Sequence, residues 1–154
     1  MLTGYIGSAT FLDAIDGIVD RVKAKNPNLK YVCDPVLGDF QNGVGKLYVP
    51  QELIDLFRTK IIPKSFMITP NQFEAEKLSE IEIKDFDTVL QNLDYLHNLG
   101  PEIVVITSTF FSDDIQMFAS KRVEGDSQLL RVDIPKLNQH FTGTGDILSA
   151  MLLT

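Results

Sequence analysis

Apolar residues along the chain repeat with two different periods. Leu12, Ile15, Val19 and Val22 recur every three or four positions and share one helical face. They follow Thr10-Phe11-Leu12-Asp13, whose threonine and aspartate have capping-box spacing, so a first helix is predicted from Thr10 to about residue 25, with Pro27 closing it. Residues 29–33 form a short apolar run of strand type ending at Asp34. Residues 35–46, rich in Gly and Asp, predict a mobile loop over the strand ends, with Gly43 and Gly45 as its hinges. Pro50 suits the first position of a helix carrying Leu53, Ile54 and Phe57, which Pro63 closes. Residues 66–69 predict another strand. Asn71-Gln72-Phe73-Glu74 then supplies an N-cap with a carboxylate three residues on, opening a helix to about residue 79. A further helix starts at Asp85 or Asp87, turns Val89, Leu90, Leu93 and Leu96 inward, and leaves through Gly100-Pro101. Residues 103–107 are the most apolar strand. Residues 115–119 and 129–134 predict antiparallel additions across a polar turn at 123–127.

Strands alternating with helices, three of them ending at Asp34, Thr69 and Thr107, predict an α/β fold: a mainly parallel sheet with helices on both faces and a small antiparallel addition. Ligands then belong at the carboxyl edge. The 154 residues, 44% hydrophobic, suffice for one domain with a real core. Fourteen basic against twenty-one acidic side chains give a net charge of −7, and no basic run with interleaved aromatics occurs, so nucleic acid and anionic membrane are not expected partners. A single cysteine, Cys33, and the lack of an Asn-x-Ser/Thr acceptor point to a reducing, cytosolic compartment, with Cys33 an inert core thiol. The start shows no basic leader and no long apolar run. Both ends read as abrupt, one inside a strand and the other inside an apolar helix, which suggests a piece of a longer protein.

The candidate chemistry centres on residues 141–153, where Phe141-Thr142-Gly143-Thr144-Gly145-Asp146 runs into the apolar helix former Ile147-Leu148-Ser149-Ala150-Met151-Leu152-Leu153. At such a junction the first N–H groups lack intrahelical partners, the helix dipole adds partial positive charge, and glycines let an anion approach closely. The amides of Thr144 and Gly145 suit a phosphoryl group, and Asp146 beside them suits a base that takes a proton from an attacking hydroxyl. The same glycines also suit a plain turn, with Asp146 complementing the dipole. Gly43 and Gly45 are no Walker motif, because no Gly-Lys-Ser/Thr follows.

Val32-Cys33-Asp34-Pro35-Val36-Leu37-Gly38-Asp39, Ile68-Thr69-Pro70-Asn71-Gln72-Phe73-Glu74-Ala75-Glu76, Val105-Ile106-Thr107-Ser108 and Gly143-Thr144-Gly145-Asp146 together resemble the pyridoxal kinases of the ribokinase-like superfamily. The resemblance runs from Leu2-Thr3-Gly4-Tyr5 to the last residue. It implies ATP-dependent phosphorylation of the 5′-hydroxymethyl group of pyridoxal, pyridoxine or pyridoxamine. Asp146 matches the catalytic base, and Gly143, Thr144 and Gly145 match the anion hole. Asn71 and Glu74 match the Asn-x-x-Glu motif that organises Mg²⁺ and its waters. Asp34 and Thr69 match positions near metal and phosphates, with Asp39 in the same region. Thr107 and Ser108 match ATP contacts, Tyr48 a nucleotide-side aromatic, and Tyr5 a residue on the pyridine ring. Magnesium is hard and keeps much of its water, so one or two carboxylates beside a triphosphate suffice. The resemblance further implies a monovalent cation such as K⁺ near the phosphates, and a homodimer for the full-length relatives. Family members have strands and a helix before Leu2 and helices after Thr154, and residues 109–114 look shortened. A catalytically inactive ATP-binding or dimerising fragment is the competing expectation, and a kinase of hydroxymethylpyrimidine or a sugar is another. Glu74 also completes a capping box, and Thr107 and Ser108 also suit a strand-end cap. Phe110 and Phe111 suit either adenine contact or core packing. His97 is expected as an imidazolium complementing a helix C-terminus, and His140 as a solvated loop residue.

Overall fold

The computed structural model describes residues 1–41, 43–123, 126–136 and 143–153. In chain order the elements are β1 (Leu2–Thr3), α1 (Ala9–Lys25), β2 (Val32–Cys33), β3 (Gly38–Gln41), β4 (Val44–Leu47), α2 (Glu52–Leu56), β5 (Met67–Ile68), α3 (Gln72–Ser79), α4 (Phe86–Asn98), β6 (Ile103–Thr109), β7 (Ile115–Val123), β8 (Asp126–Ile134) and α5 (Thr144–Leu152). After α2 the helical run loosens into a π-turn at Phe57–Ile61 and tightens into a 3₁₀ turn at Ile62–Lys64 that contains Pro63.

The six-stranded sheet has the order β1-β2-β5-β6-β7-β8. β1, β2, β5 and β6 pair in parallel, whereas β7 and β8 add antiparallel to the β6 side. Each parallel step moves the same way across the sheet, so right-handed crossovers place α1 to α4 on one face. There Leu12, Val19, Leu53, Phe57, Leu78, Leu93 and Leu96 pack on Tyr31, Cys33, Ile68, Val104, Ile106 and Phe118. The one buried phenol in this layer, Tyr31, meets Thr3 Oγ1 at 2.8 Å, which satisfies its polar end. Val32, Met67 and Val105 point to the opposite face, where Leu153, just past α5, packs against them.

Several expectations change at the level of local chemistry. Helix α1 is capped by Ser8, whose hydroxyl accepts the Phe11 N–H at 3.3 Å; Thr10 lies inside the first turn. Only a residue with extended backbone, as Ser8 has, aims its oxygen at the free N–H groups. Leu90 of α4 is exposed, because Val89, Leu93 and Leu96 form the stripe that meets the core and Leu90 is rotated away from it. Residues 35–46 are not a loop throughout. Gly38–Gln41 and Val44–Leu47 pair as an antiparallel hairpin, with Phe40 opposite Gly45 and Asp39 opposite Lys46. The pairing of Gln41 with Val44 leaves a two-residue connection, in which Gly43 has a positive φ of 79° that favours glycine; Asn42 lies outside the described residues. Gly45 is therefore a strand residue, not a hinge. β7 and β8 run nine residues each, so the turn between them is tighter than 123–127, and Glu124 and Gly125 lie outside the described residues.

His97 is also corrected. It is buried, its Nδ1 meets the Pro101 carbonyl at 2.9 Å, and its Nε2 meets Ser120 Oγ at 2.9 Å. Burial lowers its pKa, so the ring is a neutral link between α4 and β7 with Nδ1–H donating to the carbonyl and Nε2 accepting from the serine. Its counterpart His140 lies outside the described residues.

Candidate active site

β1, β2 and β5 end in register along one edge, and β6 runs on beyond them. The ladder continues past them: Asp34 N donates to Thr3 O at 2.9 Å, Thr69 N to Cys33 O at 3.2 Å, and Thr107 N to Pro70 O at 2.9 Å. Asp34, Thr69 and Thr107 are thereby held on the same rim. At Thr107 and Ser108 the register of β6 shifts, since Ile106 faces Phe118 and Thr109 faces Gln116, so two residues oppose one. Such a bulge re-aims side chains at the end of a strand.

Helix α5 brings its amino end to this rim. Gly143, with φ of 78°, turns the chain into the helix, and the first intrahelical bond is Ile147 N to Gly143 O at 3.1 Å. Up to that bond the N–H groups of Thr144, Gly145 and Asp146 have no partner within the helix, and all three residues are exposed. A Cβ on Gly145 would lie 3.8 Å from Asp34 Oδ2, so the glycine backs directly onto the strand-end carboxylate. The Asp146 carboxylate sits between Gly143 and Gly4 at the end of β1, each 3.9 Å from it by the same measure. Phe141 and Thr142, which precede this corner, lie outside the described residues.

Asp34 is 6% exposed, and burial pushes its carboxyl up to about 6. The neighbouring Asp146 charge adds to the rise, while hydrogen bonds from Ser149 and Thr69 oppose it. Ser149 was not among the expected site residues. Its hydroxyl donates to Asp34 Oδ2 at 3.3 Å and lies 2.8 Å from Thr69 Oγ1. The available signal was its spacing, three residues after Asp146 and four after Gly145, which puts it on their side of the helix.

The Asn71 to Glu74 capping box is formed: Glu74 N donates to Asn71 Oδ1 at 2.9 Å and Asn71 N donates to Glu74 Oε2 at 2.9 Å. The carboxylate does more than cap. Its Oε1 accepts the N–H groups of Leu37 at 3.0 Å and Gly38 at 3.4 Å, and Asn71 Nδ2 donates to Gly38 O at 2.9 Å. Glu74 thus fastens the segment after Asp34 to the start of α3. Burial pushes it up to about 8 even though three backbone donors favour the charge.

The remaining candidates lie further out. Asp39 and Tyr48 are on the hairpin; Asp39 Oδ1 accepts the Phe40 N–H at 2.8 Å, and the exposed Tyr48 has its hydroxyl 3.5 Å from Gln41 Nε2. Tyr5 is exposed beyond β1, with its ring over Gly7. Among the described residues no hydrogen bond joins Tyr5, Asp39, Tyr48 or Ser108 to the Asp34, Thr69 and Ser149 group. Phe111 stacks on Phe118 at 6.3 Å between centroids, which is core packing, whereas Phe110 is exposed and its N–H donates to Gln72 Oε1 at 2.8 Å. Cys33 is fully buried, and burial pushes its thiol up to about 12, as an inert core residue requires. No group of three or more His, Cys, Asp or Glu able to hold a metal occurs among the described residues. No helix among them is long and apolar enough to cross a membrane.

The mainly parallel sheet, with a glycine-led helix end over its carboxyl rim, places the chain in the ribokinase-like fold class, as its likeness to solved structures shows. Within that class the chain belongs to the phosphomethylpyrimidine kinase family, whose sequence model matches residues 3–154. It is similar to the pyridoxal kinase of Arabidopsis thaliana, 44% identical over 155 residues that cover 99% of this chain and 49% of that protein. The pyridoxal kinase of Homo sapiens is 42% identical over 163 residues, covering 99% and 52%. Among solved structures, Plasmodium falciparum PdxK with AMP-PNP and PL superposes with a TM-score of 0.87 at 32% identity, covering 99% of this chain and 54% of that one. The Leishmania donovani pyridoxal kinase with ADP and pyridoxamine gives 0.86 at 30%, covering 98% and 54%. The chain spans about half the length of the relatives it matches.

Proposed function

We propose that this chain carries the phosphoryl-transfer corner of an ATP-dependent kinase for the 5′-hydroxymethyl group of pyridoxal, pyridoxine or pyridoxamine. The observation that carries the reading is Asp146 in the first turn of α5, exposed, beside the N–H groups of Thr144 and Gly145 that have no partner within the helix, and adjacent to Asp34. Asp146 takes the proton of the attacking alcohol, and the amides of Gly143, Thr144 and Gly145 hold the oxygens of the transferring phosphoryl group. Thr107 and Ser108 at the bulge, with Tyr48 on the hairpin, face the nucleotide, and Tyr5 packs on the pyridine ring.

The oxygen donors of Asp34 and Thr69 suit Mg²⁺, which neutralises charge on the phosphates when bound. Glu74 and Asn71 serve that region indirectly, because the Glu74 oxygens already accept three backbone N–H groups; they hold the Asp34–Gly38 segment and, through water, the ion. Asp39 is a further oxygen donor on the hairpin, and a monovalent cation such as K⁺ belongs with the phosphates. A homodimer and a cytosolic location complete the reading, the latter in keeping with the buried, unpaired Cys33.

The family description, phosphomethylpyrimidine kinase, points to a methylpyrimidine as a second class of acceptor, for which hydroxymethylpyrimidine is the alcohol to try. The test is ATP consumption by the chain with Mg²⁺ and each alcohol in turn. Turnover stimulated by pyridoxal supports the first reading, and stimulation by hydroxymethylpyrimidine alone supports the second. Nucleotide binding without turnover on any alcohol leaves an inactive ATP-binding fragment and overturns both.

A further inference from the structure

Ser149 is the one buried residue of α5, at 1% exposed, although the outward residues Ile147, Met151 and Leu152 of the same helix are exposed. A hydroxyl placed where the helix meets the sheet rim is an unusual anchor, since an apolar side chain would bury at lower cost. Its surroundings account for it. Ser149 Oγ donates to Asp34 Oδ2 at 3.3 Å and lies 2.8 Å from Thr69 Oγ1, a hydroxyl that also serves Asp34. The two hydroxyls and the carboxylate form one buried polar cluster that joins the ends of β5 and β2 to α5. One helical turn earlier, on the same side, stand Gly145 against Asp34 and Asp146 against Gly4.

We propose that Ser149 is a positioning residue that latches α5 onto the ends of β2 and β5 and so fixes the angle at which Asp146 and the free amides face the reacting groups. It touches neither substrate nor phosphate; it acts through the placement of its helix. A hydrophobic contact, such as that of Leu153 with Val32, Met67 and Val105, holds the helix down but leaves it free to roll. Two directional bonds on one hydroxyl fix the roll. This inference rests on the kinase reading for its consequence in turnover, but the latch itself is independent of it.

The test compares the chain with Ser149→Ala and Ser149→Thr. Hydrogen exchange of the α5 amides, with those of α3 as an internal control, reads the latch. Ser149→Ala is expected to speed α5 exchange about tenfold while α3 stays unchanged, and Ser149→Thr, which keeps the hydroxyl, is expected to recover most of the protection. Where the chain turns over, kcat of Ser149→Ala is expected to fall about tenfold with KM for ATP within about twofold, again recovered in Ser149→Thr. Unchanged α5 exchange in Ser149→Ala overturns the latch whether or not the chain is a kinase. Faster exchange with an unchanged kcat, or a loss in which KM moves as much as kcat, overturns the positioning role. An inactive parent chain overturns the kinase reading and leaves the latch to be judged by exchange alone.

Discussion

Gly45 lies flat against the ring of Phe73: a Cβ added to the glycine would come within 2.4 Å of Cε2 and 2.8 Å of Cδ2. Gly38, on the other strand of the hairpin, meets the same ring, with Cε1 2.6 Å from its would-be Cβ, and Phe40 meets it edge-on at 5.4 Å. The hairpin that carries Asp39 and Tyr48 is therefore seated by glycines closing on a buried phenylalanine at the start of α3. Gly45→Ala is expected to cost about 1–3 kcal/mol, because Phe73 is 4% exposed and has nowhere to retreat. Urea denaturation measures the loss. Adding Phe73→Leu to Gly45→Ala should recover part of it, a coupling that a double-mutant cycle reads directly. Full additivity would show that the ring is not what excludes a side chain at residue 45.

Asp146→Asn tests the proposed base. The amide keeps the size and the place in the first turn of α5, so the N–H groups at the start of the helix remain where they are. Loss of a general base costs about 10²–10⁴-fold in turnover. In a chain that turns over, kcat is expected to drop by that much while ATP affinity, measured by calorimetry, changes little. Removing a carboxylate beside an anion site should, if anything, tighten nucleotide binding slightly. An equal loss of both quantities would assign Asp146 to binding rather than to proton transfer.

Much of this arrangement was legible in the residues themselves, and what was not has identifiable causes. The strand ends at Asp34, Thr69 and Thr107 could be read because parallel strands buried on both faces are short apolar runs that stop where polarity begins. The capping box at Asn71 and Glu74 could be read because its spacing is local. The second task of Glu74, holding Leu37 and Gly38, could not, since those partners lie more than thirty positions away and offer only backbone N–H groups. The hairpin at 38–47 was obscured by its glycines, which suit flexibility and close packing alike; only the Phe73 ring distinguishes the two. Ser149 looked like an ordinary small helix residue, because its role depends on how α5 crosses the rim. His97 looked like an imidazolium suited to the end of α4, although β7 covers it.

The burial of Asp34 makes stability depend on pH in a definite direction. Its folded carboxyl is raised to about 6 from an ordinary value near 4, so the folded chain holds the proton more tightly than the unfolded chain. The contribution is fully present below the ordinary value and is lost as pH rises through 6. Two pH units correspond to roughly 3 kcal/mol. Glu74, raised to about 8, acts with the same sign over a wider window. Urea midpoints at pH 4.5 and pH 7 are therefore expected to differ less in Asp34→Asn than in the parent chain, with the variant gaining relative stability at pH 7. A parent chain that gains on the variant between those pH values would mean that the carboxylate is better solvated than its burial implies.

His97 works in the opposite sense, which allows the two effects to be separated. Burial depresses its pKa, Arg122 nearby reinforces this, and the Pro101 carbonyl and Asp94 oppose it. The unfolded chain therefore takes the proton first, so the stability this residue contributes is present above about pH 6.5 and is lost as pH falls below it. Protonation also converts Nε2 from acceptor to donor, so that Ser120 Oγ must turn its own proton away to keep the 2.9 Å contact. His97→Asn removes two buried hydrogen bonds and is expected to cost about 2–3 kcal/mol at pH 7.5. The gap between parent and variant should narrow as pH falls to 5, by denaturant unfolding at each pH. A gap that widens on acidification would mean that His97 is held as the cation after all, paired with Asp94 in place of the neutral link between α4 and β7.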